Sequence, residues 1–275
     1  MRPDGLGRVP TPRAALEILG PSDDAPCEAH VMDGFDPATS FGPAVAARYD
    51  DHPRGDESAA ASFLHDLAAG GRALELAIGT GRIALPLAAL GVPVDGIELS
   101  ADMVTQLRSK SGGSALDVVV GDMSVVEMPG RYRLAYLVFN TIFNLLTADG
   151  QIRCFENVAR HLDDGGVFVV ETALPHAWIP PGAADYVHAE HVGLDVIGFD
   201  VARYDPVTQL LTENHVRLTS SGIEFEPIVC RLVTPGALDL MARIAGLRLV
   251  DRFADWRRSP FDHRSTAHVS VYGRR

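Results

Sequence analysis

The chain has one lysine, Lys110, among its 275 residues, and every other fixed cation is an arginine. That scarcity removes several chemistries. No Gly-Lys-Ser/Thr phosphate loop can be written, no Tyr-x-x-x-Lys pair of a short-chain dehydrogenase is present, and Schiff-base catalysis has little scope. Cysteine is nearly as rare. Cys27, Cys154 and Cys230 lie far apart without metal-ligand spacing and read as buried or inert thiols. No apolar run approaches the length that spans a bilayer, and no N-terminal apolar core resembles a signal peptide, so a cytoplasmic protein is expected. Basic residues are outnumbered, 24 Lys+Arg against 36 Asp+Glu, for a net charge of −12. Such a chain is repelled by phosphate backbones, so neither nucleic acid nor membrane is an expected partner.

What is present is organised around Ala73-Leu-Glu-Leu-Ala-Ile-Gly-Thr-Gly-Arg-Ile-Ala84. A short apolar run carrying one acid, Glu75, breaks at Gly79-Thr80-Gly81 and resumes with helical recurrence, which reads as buried strand, tight turn and helix. The glycines let the backbone turn sharply and let a ligand lie against it, and the new helix offers unpaired N–H groups. A small nucleotide-like molecule is expected there. Gly79-x-Gly81-x-x-Ala84 alone also satisfies the dinucleotide fingerprint.

Residues 1–40 are rich in Pro, Gly and Asp, with one helix-capable piece from Pro12 to Leu19, and are expected to form a flexible arm or to pack on a partner subunit. Helices are predicted over Phe41 to Arg48 and Asp56 to Leu67, the second ended by Gly70-Gly71. Strands 73–78, 93–98, 116–121 and 132–139 then alternate with helices 82–90, 101–109 and 149–162, before strand 166–171. Alternating β and α with solidly apolar strands predicts an α/β fold, a parallel sheet covered on both faces. Beyond Pro175 the period becomes strand-like over Tyr186 to Tyr204, Gln209 to Thr219 and Ile223 to Leu232. A helix from Gly236 to Ala245 and strands Leu247 to Phe253 and Ala267 to Tyr272 close the chain.

The order Glu-x-Ala-x-Gly-Thr-Gly from Glu75, then Gly96-Ile-Glu-Leu-Ser100, then Gly121-Asp-Met123 resembles the class I S-adenosylmethionine (SAM) methyltransferases, over roughly residues 45–175. The resemblance extends to actinobacterial natural-product enzymes, amino-sugar N-methyltransferases among them. It implies a doubly wound, mostly parallel seven-stranded sheet of Rossmann-like type with a β-rich insertion after the fifth strand. The corresponding divisions are a core over 41–175, a substrate-facing lid over 176–234, and a closing helix and hairpin over 235–275. The cofactor implied is SAM. The partners are a small-molecule substrate and, in a homodimer, a second copy.

Site residues follow from the same resemblance. Glu75 in the strand, with Ala77, Gly79 and Gly81 of the glycine turn, is expected to bind the cofactor. Glu98 accepts from the ribose hydroxyls, with Leu99 beside it, while Asp122 and Met123 meet the adenine edge and Met103 its face. Tyr49 and Arg54 cover the amino-acid end of the cofactor, and Phe139 excludes water. Asn140 and Asn144, with Tyr49, are expected to position the acceptor. Glu171 and His176 are further candidates for substrate contact or proton acceptance. His188-Ala-Glu-His191 is rejected as a metal site, because strand positions three apart point to opposite faces. The function read from this set is methyl transfer to an amine or hydroxyl of a natural-product intermediate. Its alternatives are a SAM-binding protein that transfers nothing and, less favoured, an NAD-dependent oxidoreductase.

Overall fold

Every position of the strand before the glycine turn is buried, as a central parallel strand requires. A computed structural model describes residues 32–51, 53–182 and 184–274. The helix expected over Pro12 to Leu19, and Cys27, lie outside the described residues. Three helices come first: α1 (Pro37–Ser40), α2 (Pro43–Arg48) and α3 (Glu57–Ala68). Asp36 caps α1 by accepting the Ala38 N–H, and both α1 and α2 begin with proline, which has no N–H to leave orphaned. The residue that stops α3 is Ala69, held at φ 48°, one position before the expected glycine pair.

The central unit runs β1 (Ala73–Leu76), α4 (Ala84–Ala89), β2 (Val94–Glu98), α5 (Ala101–Ser109), β3 (Asp117–Val120), β4 (Tyr132–Leu137), α6 (Ala148–His161) and β5 (Leu162–Ala173). A short helix α7 (Pro175–Trp178) leads into β6 (Asp185–Val192), β7 (Val196–Asp205), β8 (Leu210–Thr219) and β9 (Gly222–Arg231). The chain closes with α8 (Pro235–Ile244), β10 (Leu247–Phe253) and β11 (Ala267–Arg274). The seven-stranded sheet has the order β10-β11-β5-β4-β1-β2-β3, with β11 antiparallel to both neighbours. The strand order reverses at β1 and β4, so a crevice opens at their C-terminal ends, where open α/β sheets take ligands.

Strands β6 to β9 form a separate antiparallel sheet between β5 and α8. The single run expected from Tyr186 to Tyr204 is two strands, turned at Gly193-Leu-Asp195. Helix α4 is two residues shorter at its start than predicted, because Arg82 and Ile83 still belong to the turn. Among the described residues Cys154 and Cys230 are buried and form no disulfide, and burial raises both thiol pKa values.

Candidate cofactor and substrate site

Leaving β1, the backbone passes through the left-handed region at Ala77 (φ 52°), Gly79 (57°) and Gly81 (79°). The turn brings the Gly79 N–H 2.8 Å from Glu98 Oε2, while the Ser100 N–H donates to Glu98 Oε1 at 2.9 Å. Each carboxylate oxygen therefore spends one lone pair inside the protein and keeps another for a ligand. Burial raises the Glu98 pKa, opposed by these two N–H groups. A cavity of about 330 Å³ opens over the turn, lined by Ala77, Gly79, Glu98 and Leu99. Met103, Asp122, Met123 and Tyr49 complete the expected part of its wall. Ser124, not expected at the site, also lines it, and its buried Oγ has no hydrogen-bond partner among the described residues.

Four residues expected at the cofactor do not line this cavity. A side chain at Gly81 would stand 2.4 Å from Leu107 Cδ1, so this glycine serves the close approach of turn and α5. Glu75 is buried in β1 and lines no described cavity; it accepts from Tyr136 Oη–H at 2.9 Å, and burial pushes its pKa up to about 8. Arg54 and Phe139 line a second, neighbouring chamber, with the guanidinium 3.4 Å from the Phe139 ring centroid and 5.0 Å from that of Tyr49. A cation over an aromatic face is a stabilising contact in itself. It gives Arg54 a role that the sequence did not suggest.

That second chamber measures about 970 Å³ and lies between the turn after β4 and the four-stranded sheet. Tyr49, Thr141 and Asn144 line both cavities. Phe139 and Asn140 both have positive φ, at 54° and 64°. The Asn140 Oδ1 accepts the Ala173 N–H at 2.5 Å, so half of its amide is committed to holding this turn. Glu171 is tied to the same turn: Oε2 accepts the Phe139 N–H at 2.9 Å and Oε1 accepts Trp256 Nε1–H at 3.0 Å. It lines neither cavity and is corrected from substrate contact to support of the turn. His176 does line the chamber.

The geometry has relatives among known proteins. A methyltransferase-domain family model matches residues 73–166. The CcbJ methyltransferase of Streptomyces caelestis is 36% identical, at a TM-score of 0.81 over 86% of this chain and 98% of that one. The chain belongs to the SAM-dependent methyltransferases. CalS10 of Micromonospora echinaspora, an amino pentose methyltransferase, shares the methyltransferase fold at 22% identity and TM-score 0.62, over 84% of this chain and 96% of that one. KedS8 of Streptoalloteichus, a sugar N-methyltransferase, shares it at 18% and 0.61, over 83% and 91%. No curated protein matches the chain.

The cofactor of this methyltransferase is SAM, and the crevice suits it. Glu98 presents a free lone pair on each carboxylate oxygen in its wall, and the buried Ser124 Oγ there has no hydrogen-bond partner among the described residues. Phe35 and Phe41 also line the crevice, although Phe35 falls in the expected arm. Three polar contacts hold this cover down. Ser100 Oγ–H donates to the Phe41 carbonyl at 2.6 Å, Thr80 Oγ–H donates to Asp50 Oδ1 at 2.8 Å, and Lys110 Nζ reaches both Asp50 and the Thr80 carbonyl. Lys110 and Asp50 were not expected at the site; the signal was that the only lysine follows the second helix of the cofactor unit.

The insertion contributes the far wall of the methyltransferase's chamber. His188 pairs with Asp200 and His191 with Gly198, two residues on the same face of β7, because the register shifts between Ala189 and His191. The expectation that the two histidines diverge is therefore corrected: an extra residue in the strand changes the parity. The three ligand-type side chains that come together are instead Glu190, Asp200 and His215, with one atom from each within 4.8 Å of the others.

Proposed function

We propose that this methyltransferase transfers the SAM methyl group to an amine or hydroxyl of a small natural-product intermediate. In this reading Glu98 holds the ribose, Asp122 and Met123 the adenine edge, and Met103 the adenine face. The acceptor lies in the larger chamber, positioned by Asn144 and Tyr49, with residues 176–234 acting as a substrate-facing lid. The observation that carries it is the meeting of the two cavities at Tyr49, Thr141 and Asn144. A cofactor methyl and an acceptor brought to one junction need little more than position and exclusion of water, because the sulfonium is already activated.

The test pairs two measurements. Calorimetry with S-adenosylhomocysteine should give a Kd in the micromolar range or tighter, about −8 kcal/mol or better. Mass spectrometry with methyl-labelled SAM and candidate amine- and hydroxyl-bearing intermediates should show one product carrying the label. Binding without transfer to any acceptor would favour a SAM-binding protein that is not catalytic.

A further inference from the structure

Pairing across the four-stranded sheet places His188 of β6 opposite Asp200 of β7, Asp200 opposite His215 of β8, and His215 opposite Glu226 of β9. All four line the larger chamber, so they form one polar row across its wall. The adjacent row contains Tyr186, Ala202, Glu213 and Ile228, and Ile228 also lines the cofactor crevice. Glu213 thus pairs directly with a residue that lines both cavities. Between the rows, His215 Nδ1 lies 2.6 Å from Asp200 Oδ1 and 3.6 Å from Glu213 Oε1. Glu190 completes the group from the bulged strand.

The charge balance of this wall is specific. Arg48 of α2 is bound to Glu226 and to Glu224, so the β9 end of the row already has a fixed cationic partner. Among the described residues, Asp200 and Glu213 have His215 as their one salt-bridge partner and Glu190 has none within salt-bridge distance. Burial opposes charging His215, but Asp200, Glu213 and Glu190 outweigh it and lift its pKa above the ordinary value. Burial likewise raises the Glu213 pKa, against the pull of His215. Such a group stabilises one mobile positive charge, and a second cation entering the chamber competes with the imidazolium for it. The hydrogen bond from Nδ1 to Asp200 fixes the imidazole and leaves Nε2 to exchange a proton.

We propose that Asp200, Glu213 and His215, with Glu190, form an ammonium-binding and proton-accepting subsite for a cationic amine substrate; this rests on the methyltransferase reading of the chamber. An ammonium N–H gives its proton to Nε2 of His215, whose charge Asp200 and Glu213 balance. The nitrogen keeps the bonding pair as a lone pair and forms the new N–C bond with it, while the methyl–sulfur bond of SAM breaks and the sulfur retains that pair in S-adenosylhomocysteine. The methylated nitrogen is cationic again and leaves against the same carboxylates, while the proton on His215 passes to solvent.

The experiment uses methylammonium as probe with the full chain bound to S-adenosylhomocysteine, following the His215 ring protons by NMR. The expected result is a saturable shift of His215 with methylammonium and none with methanol. Apparent affinity should rise by up to about tenfold per pH unit below the His215 pKa and level off above it, because binding releases a proton. In His215→Gln the affinity, read from the probe's own line width, should become independent of pH. Asp200→Asn and Glu213→Gln should each weaken it without changing S-adenosylhomocysteine affinity. No saturable shift, an equal response to methanol, or a pH dependence that survives His215→Gln overturns the proposal. So does a divalent cation binding at these residues with abolition of the effect by a chelator, since the group would then be a metal site. S-adenosylhomocysteine calorimetry on the same samples separates the two readings. If that ligand binds and methylammonium does not, the subsite falls alone; if S-adenosylhomocysteine does not bind, both fall.

Discussion

Lys110 Nζ stands 2.7 Å from Asp50 Oδ2 and 2.7 Å from the carbonyl oxygen of Thr80. The only lysine of the chain thereby joins the end of α5 to the segment that covers the crevice and to the turn under it. The pair is partly exposed, so its own stabilisation is about 0–1 kcal/mol. Lys110→Met should accordingly leave the fold intact and weaken S-adenosylhomocysteine binding by a few-fold, with a marked fall in ionic-strength dependence. Calorimetry at low and high salt checks this; an affinity equal to wild type at both removes the clamp from the binding process.

Glu98→Ala should cost about 1–3 kcal/mol of S-adenosylhomocysteine affinity. The change removes the ribose acceptor and also strands the Gly79 and Ser100 N–H groups that its carboxylate now satisfies. Some loss of thermal stability should therefore accompany the loss of binding. A variant with unchanged affinity would place the ribose away from Glu98.

Asn140 and Asn144 should separate into different roles. Asn140→Ala loses the acceptor for Ala173 N–H and puts alanine at φ 64°, and should destabilise the protein by about 2 kcal/mol in denaturant unfolding. Asn140→Gly should recover part of that, since glycine tolerates the conformation. Asn144→Ala should leave stability nearly unchanged and lower kcat/KM by about 10- to 100-fold, or roughly 1.4–2.7 kcal/mol. The opposite pattern, stability lost at Asn144 and activity alone lost at Asn140, would exchange their assignments.

His268 predicts an acid-sensitive fold. Its ring sits between Thr172 Oγ at 2.9 Å and Ser270 Oγ at 2.8 Å, and burial, with Arg252 nearby, lowers its pKa to about 4. Between about pH 6.5 and that value the unfolded chain binds a proton that the folded chain does not. Stability is full above the unfolded pKa and falls by about 3 kcal/mol as pH drops through the window. Urea unfolding of wild type and His268→Gln across this range should show the slope in the first and a weaker one in the second.

Glu75 acts in the opposite sense. Its folded pKa of about 8 lies above the ordinary carboxylate value of 4.5, so the protonated acid is the stable folded form. The stability it contributes is full below the unfolded pKa and is lost as pH rises through the folded one. Glu75→Gln, a neutral group of the same shape, should flatten the alkaline side of the stability profile. A steeper loss in the variant than in wild type would mean that the carboxylate is ionised in the folded protein.

The cofactor half of the site was legible in the chain because its pieces are local. Ala73 to Ala84 fixes strand, turn and helix through a change of period and two glycines, and Glu98 and Asp122 each follow a short apolar strand at the edge where such sheets bind ligands. Local signals have limits even here. Glu75 and Gly81 belong to the same motif yet serve the core, because a linear pattern does not say which face of the turn meets solvent.

The sequence by itself determined the parallel sheet, the glycine turn after its first strand and the position of Glu98 at the end of the second. Tertiary structure alone decided that Arg54 lies over Phe139, that Lys110 reaches back to Asp50, and that Asp200, Glu213 and His215 share one wall. The physical reason is register. Hydrophobic alternation tells which residues of a strand share a face, but cross-strand neighbours depend on turn positions and bulges. One extra residue near Glu190 and a tight turn at Gly193 leave no periodic trace, and they set which side chains of the insertion line the chamber.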